Sequence, residues 1–141
     1  MILLAAQFNS EIVRVLVQGA TKTLRDAGVP PRAIHLLWVP GAFELPVVAA
    51  RVACSTPPPD AVIALGALIR GETSQHEILA HAVAQGLTAV AVKERLPMTC
   101  GVIVADTVAQ AKARAGGSRG NRGAEAAAAA LNLLTLFEHM S

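Results

Sequence analysis

The sequence predicts an α/β fold with a parallel sheet and helices on both of its faces, and three observations carry that expectation. Short apolar runs alternate with stretches whose apolar residues recur at helical spacing, the order expected of repeated strand–helix–strand units. Hydrophobic residues make up 53% of the 141 residues but aromatics only 3%, so the core must be built from Ala, Val, Leu and Ile, as suits strands buried on both faces. Glycine- and proline-rich turns punctuate the alternation.

Ile2 to Ala6 reads as the first buried strand and ends at Gln7-Phe8-Asn9. Ile12, Leu16, Gly19, Ala20, Thr23 and Leu24 then recur at helical spacing until Gly28-Val-Pro-Pro31 stops the helix. Ile34 to Val39 is the second strand, and Pro40-Gly41 turns it into a helix carrying Leu45, Val48, Ala49 and Val52; Pro57-Pro-Pro-Asp60 is a loop. Ala61 to Leu68 is the third strand. Ser74 and Glu77 match a Ser-x-x-Glu capping box opening a helix with Leu79, Val83, Leu87 and Val90 on one face. The alternative there is a break at Gly86, with Leu87 to Val92 as a strand. Thr99 to Ala105 is the next strand and Val108 to Ala115 a helix closed by Gly116-Gly117. An Ala-rich helix from about Gly123 to Glu138 ends the chain, its Leu131, Leu134 and Phe137 marking a packing face.

Right-handed crossovers gather the carboxyl ends of parallel strands at one edge, and ligands of open α/β sheets dock beyond those ends. Phe8 and Asn9, Pro40 to Glu44, Gly66 to His76 and the stretch after Ala105 are therefore brought to one place.

The length suits one domain over residues 1–141, enough to bury roughly two thirds of the unfolded surface. The apolar excess leaves too little polar surface to cover a small monomer, so a homo-oligomer is expected. Twelve Lys and Arg against ten Asp and Glu give a net charge of +2, without a basic run interleaved with aromatics, which argues against a nucleic-acid partner. Cys54 and Cys100 have no metal-ligand spacing. The opening Met1-Ile-Leu-Leu-Ala-Ala is too short for a signal peptide and no apolar run approaches about 20 residues, so a soluble cytoplasmic protein away from membranes is expected.

The third helix start supplies the chemistry. Backbone N–H groups around Glu72 to Gln75 are expected to face outward, and a helix start is an anion site. His76 in the same first turn is positioned to move protons on a docked anion, against the plain reading of a packing histidine; His35, His81 and His139 read as bystanders. Arg114 beside Gly116-Gly117 either complements a helix end or clamps phosphate with its fork of donors, with Arg70 and Arg122 as rivals. Glu44 overlooks the expected cleft and can accept bonds from hydroxyls. Phe8 is one of few rings available to stack on a flat heterocycle. Phosphate-loop, dinucleotide and nucleophile-elbow patterns are missing and no paired Cys or His ligands occur, so neither a nucleotide cofactor nor a metal is indicated.

Phe8-Asn9, Trp38-Val-Pro-Gly-Ala-Phe-Glu-Leu-Pro46, Asp60-Ala-Val-Ile-Ala-Leu-Gly66, Ile69-Arg-Gly-Glu-Thr73, Arg114-Ala-Gly116 and Gly120-Asn-Arg-Gly123 together resemble the lumazine synthase family, in order along nearly the whole chain. The resemblance implies a three-layer flavodoxin-like sandwich with a four-stranded parallel sheet, a continuous third helix through Gly86, and pentamers or multiples of them with active sites between adjacent subunits. It implies condensation of 5-amino-6-(D-ribitylamino)uracil with 3,4-dihydroxy-2-butanone 4-phosphate, in riboflavin biosynthesis, without a cofactor. Carried over, Phe8 would stack on the pyrimidine, Ala42, Phe43, Glu44, Ala67, Leu68 and Ile69 would hold the ring and ribityl chain, and Glu72, Thr73 and Arg114 would hold the phosphate.

Two positions depart from the family. Its catalytic histidine falls on Gln75, with His76 one place later, so His76 takes over the role or proton transfer is left to substrate phosphate and water. Cys100 falls where the family offers a phenylalanine from the neighbouring subunit, which loosens that wall of the pocket. The short N-terminus lacks the leading strand many members lend to a neighbour, while the Gly116 to Gly123 turn is as short as in shell-forming members. A catalytically weak relative that sequesters flavin or lumazine is the competing expectation; a flavin electron carrier fits less well, because Gln7-Phe8-Asn9 lacks the Ser/Thr-rich loop a flavin phosphate needs.

Overall fold

The run Ile2–Ala6 (β1) forms an inner strand of a four-stranded parallel sheet in the computed structural model, which covers residues 1–141. His35–Val39 (β2) pairs along one side of it, with Ile2 opposite His35, and Val62–Ile69 (β3) along the other, with Ile2 opposite Val62. Met98–Ala105 (β4) lies beyond β3, Ile69 opposite Ala105, which completes the order 2-1-3-4. That is the order of flavodoxin-like sheets.

The helices are Ser10–Asp26 (α1), Leu45–Ala53 (α2), Gln75–Glu94 (α3), Val108–Ala113 (α4) and Arg122–Met140 (α5). Because successive strand residues point to opposite faces, two cores form. Leu3, Ala5, Ile63, Leu65 and Ala67 pack with Val13, Leu16 and Ala20 of α1 and with Ala127 and Ala130 of α5. Leu4, Val62, Ala64 and Leu68 pack on the other side with Leu45 and Ala49 of α2 and Val83 and Leu87 of α3. Both faces of β1 and β3 are thus buried, which is why those strands read as unbroken apolar runs rather than as alternating ones.

The helix α3 runs without a break through Gly86. A Cβ there would lie 2.8 Å from Pro46 Cβ and Cγ, so the glycine lets α2 and α3 approach closely and does not mark a strand. The fourth helix is shorter than its spacing predicts, ending at Ala113, because the next residues form a small antiparallel pair, Ala115–Gly117 (β5) with Gly120–Asn121 (β6). Main-chain bonds from Arg119 N–H to the Ala113 carbonyl and from Arg122 N–H to the Arg114 carbonyl, both 2.8 Å, take the place of further helical turns.

Leu36, Leu37 and Trp38 on the edge strand β2 are exposed, as are Ile78 and Val92 on α3. No helix is long and apolar enough to cross a membrane.

Candidate active site

The connection after β1 leaves to one face of the sheet and that after β3 to the other, so a crevice opens at the carboxyl edge between them. At the end of β1, Asn9 adopts left-handed backbone angles (φ 60°, ψ 41°), which short polar side chains tolerate. Its Nδ2 donates to the Ala67 carbonyl at 2.9 Å and its own carbonyl accepts from the N–H groups of Ile12 and Val13. One residue therefore ties the β1 turn to the end of β3 and starts α1, and this leaves the Phe8 ring outside the core, 71% exposed. Core filler is excluded as its role.

After β2 the chain makes a 3-10 turn over Ala42–Glu44, with the Glu44 N–H donating to the Gly41 carbonyl at 3.3 Å. Ala42 is buried, Glu44 half-buried, and Phe43 points outward at 63% exposure. A cavity of about 590 Å³ lies between these turns. Phe8, Ala42, Phe43, Glu44, Ala67, Leu68, Ile69, Glu72, Thr73 and His76 all line it. Ten side chains singled out from sequence thus meet from three strand ends and one helix start.

The helix start itself differs from expectation. Ser74 and Glu77 do not form a capping box: the Ser74 side chain makes no cap bond, and the Gln75 N–H instead donates to Thr73 Oγ1 at 3.3 Å. The reason is backbone conformation, since Ser74 sits at φ −84°, ψ 20°, whereas a side-chain N-cap takes extended angles. The N–H groups of Glu72, Thr73 and Ser74 nonetheless have no protein acceptor, and Glu72 and Thr73 line the cavity, so donors remain unpaired at this helix start without the box.

A working cap occurs on α4 instead. Thr107, at φ −134° and ψ 157°, accepts from the Gln110 N–H at 3.1 Å, while Gln110 Oε1 accepts from the Asp106 N–H at 2.8 Å. This reciprocal pair fixes the turn leaving β4 and with it one wall of a second cavity of about 450 Å³, lined by His76, Glu77, Asp106, Gln110, Arg114 and Arg119 among others. Arg114 therefore lies across His76 from the first cavity and does not line it. His76 is the one residue of the expected site common to both, and it is the only buried polar or charged residue of the chain, 6% exposed.

Cys100 lines neither cavity. It is exposed on β4, opposite Ala64, five residues before the carboxyl end, which at about 3.3 Å per residue removes it by roughly 16 Å from the crevice edge. Asn9, Asp106 and the Thr107–Gln110 pair are the residues that sequence reasoning left without a role. One donor atom each of His76, Glu77 and Asp106 lies within 4.8 Å of the others, a spacing that could hold a cation. Arg70 already faces Asp106 at 4.0 Å and Arg114 and Arg119 line the same cavity, so that wall suits an anion better.

Comparison with known proteins shows the family. Residues 1–138 match the family model described as 6,7-dimethyl-8-ribityllumazine synthase. Curated proteins named 6,7-dimethyl-8-ribityllumazine synthase resemble the chain over nearly its whole length. The one from Gemmatimonas aurantiaca is 45% identical over 97% of this chain and 83% of its own. That from Halorhodospira halophila is 45% identical over 98% of this chain and 88% of its own, and that from Leuconostoc mesenteroides 37% identical over the same shares.

Proposed function

The chain belongs to the 6,7-dimethyl-8-ribityllumazine synthase family and carries that synthase activity of riboflavin biosynthesis; from this premise we propose how its own residues perform the condensation. The substrates are 5-amino-6-(D-ribitylamino)uracil and 3,4-dihydroxy-2-butanone 4-phosphate, and the products are 6,7-dimethyl-8-ribityllumazine, phosphate and water. The observation that supports this assignment of residues is the convergence of ten expected side chains on one cavity.

The pyrimidine stacks on Phe8, whose ring is already outside the core. Ala42 and Phe43 with Ala67, Leu68 and Ile69 wall the ring, and the Glu44 carboxylate accepts from ribityl hydroxyls. The volume, about 590 Å³, lies in the range of small-molecule sites. Free N–H groups at Glu72 and Thr73 hold the phosphoryl oxygens, and the Arg114 guanidinium approaches from the adjoining cavity. His76, between the two, transfers protons as the amine adds to the ketone and water leaves. Holding an amine and a ketone in register removes an entropic barrier of up to about 7–11 kcal/mol, a larger contribution than proton transfer supplies.

No cofactor is required by this scheme, and residues 1–141 act as one domain. The active form is a homo-oligomer in the cytoplasm, a pentamer or a multiple of pentamers. In that assembly Cys100, roughly 16 Å from its own crevice edge, would face the pocket of a neighbouring copy and not its own. The exposed apolar row Leu36, Leu37 and Trp38 supplies surface for such a contact.

Mixing the purified protein with both substrates and following lumazine fluorescence tests the reading. Product formation well above the spontaneous rate is expected, and a rate equal to the uncatalysed one would refute it.

A further inference from the structure

The acid–base role of His76, on which this step rests, leaves open what holds its ring. Nε2 of His76 lies 3.6 Å from Oδ1 of Asp106, while Nδ1 is buried with no hydrogen-bond partner. In a neutral imidazole one nitrogen donates and the other accepts. Nδ1 is closed off and has nothing to exchange a proton with, so Nε2, which faces a carboxylate, is the nitrogen left for proton transfer. We propose that Asp106 is a positioning residue for the reaction: it holds the Nε2 edge of His76 toward the cavity that Arg114 lines and stabilises the imidazolium formed when Nε2 takes a proton from the adding amine, the same proton then passing from Nε2 to the departing water.

The placement of Asp106 is itself determined. Its main-chain N–H is held by Gln110 Oε1 at 2.8 Å, and Gln110 is in turn held by Thr107 at 3.1 Å, so the α4 cap fixes the carboxylate at the end of β4. Arg70 Nη1 stands 4.0 Å from the same Oδ1. Glu77, within 4.8 Å of both groups, Arg114 and Arg119 are the other charged side chains facing this wall. The His76–Asp106 separation is slightly longer than a hydrogen bond, as catalytic contacts often are before substrate tightens them. His76 is carried by α3 and Asp106 by the turn after β4, so the pair joins two elements on the wall of the cavity that Arg114 lines. The departure from the family at Gln75 and His76 is thereby given a partner of its own.

The test is steady-state kinetics on the assembled enzyme. Asp106→Asn removes the charge while keeping the size of a residue that is 59% exposed, so folding is preserved. It is expected to lower kcat by about tenfold or more while the KM for each substrate stays within about twofold, because general acid–base transfer contributes about a hundred- to ten-thousandfold. Asp106→Glu, which restores a carboxylate, is expected to recover part of that loss. In a His76→Ala background, itself slower by about ten- to a thousandfold, Asp106→Asn should cause no further loss. Unchanged kcat in Asp106→Asn, or the same fractional loss with and without His76, overturns the proposal. So does Glu77→Gln lowering kcat as much as Asp106→Asn, since any nearby charge would then suffice. Full activity of His76→Ala would overturn the underlying role of His76 as well, which separates the two failures.

Discussion

Gly123→Ala should destabilise the protein although helix propensity alone says the opposite. Gly123 lies in the first turn of α5, where alanine is favoured over glycine by up to about 1 kcal/mol. The contact with α1 reverses the sign. A Cβ on Gly123 would lie 2.1 Å from the Leu16 carbonyl oxygen and 2.7 Å from its carbonyl carbon, whereas ordinary contact begins near 3.4 Å. The target is backbone in the middle of a helix, so neither group can rotate away, and α5 must retreat by about 1 Å. Retreat strains the Asn121 clamp, whose Nδ2 donates to the Val15 carbonyl at 3.0 Å while its Oδ1 caps the Ala124 N–H at 3.0 Å. Overpacking of this kind costs about 1–3 kcal/mol, and a backbone target belongs at the upper end. The net loss is then about 2 kcal/mol, or a fall in the thermal midpoint of roughly 8 °C for a chain of this size. Scanning calorimetry at fixed protein concentration reads it, with Gly71→Ala as the control. No atom lies within 4 Å of a Cβ at Gly71, and its stability should be unchanged or slightly raised. A Gly123→Ala protein as stable as its parent would refute the close-packing account of α1 and α5.

Three further outcomes follow from the site. Phe8→Ala should leave the thermal midpoint unchanged, since the ring is 71% exposed, yet weaken pyrimidine binding by about tenfold or more, the effect of losing one aromatic stack; titration with a non-reactive pyrimidine analogue measures it. Arg114→Ala should raise the KM for the phosphorylated substrate about ten- to a hundredfold and leave that for the pyrimidine near the parent value, as a lost charge-assisted bond implies; equal KM values in mutant and parent would remove Arg114 from the phosphate site. Thr107→Ala should cost about 1 kcal/mol through loss of the α4 cap, seen as a lower denaturation midpoint, and no change would show that Gln110 holds the turn alone.

Most of the fold was legible because the central strands, β1 and β3, are buried on both faces. Leu3 and Ala5 enter one core and Leu4 the other, so no polar residue interrupts the run and strand identity follows from length and flanking turns. The same reasoning placed every helix but could not decide Gly86, because the deciding contact is with Pro46 on another helix. The β5–β6 pair was missed for a different reason. Two or three residues carry no periodicity, and Gly116 at φ 86° and Gly120 at φ 80° read equally well as a helix stop.

The site was legible wherever a residue borders a strand end, and obscure wherever its role depends on a partner far along the chain. Ser74-x-x-Glu77 and Thr107-x-x-Gln110 are the same local pattern, and only the second caps, because only Thr107 has extended backbone angles. Those angles are set by where each turn is anchored. The Arg70 N–H donates to the Ala105 carbonyl at 2.9 Å, which prolongs the β3–β4 pairing past Ile69 and leaves Gly71 to Ser74 to descend to the helix in a single turn. Asp106, leaving the neighbouring strand at that same register, is thereby brought beside His76 although thirty residues separate them in sequence. The parallel register of β3 and β4, rather than any motif, sets a carboxylate against the one buried imidazole.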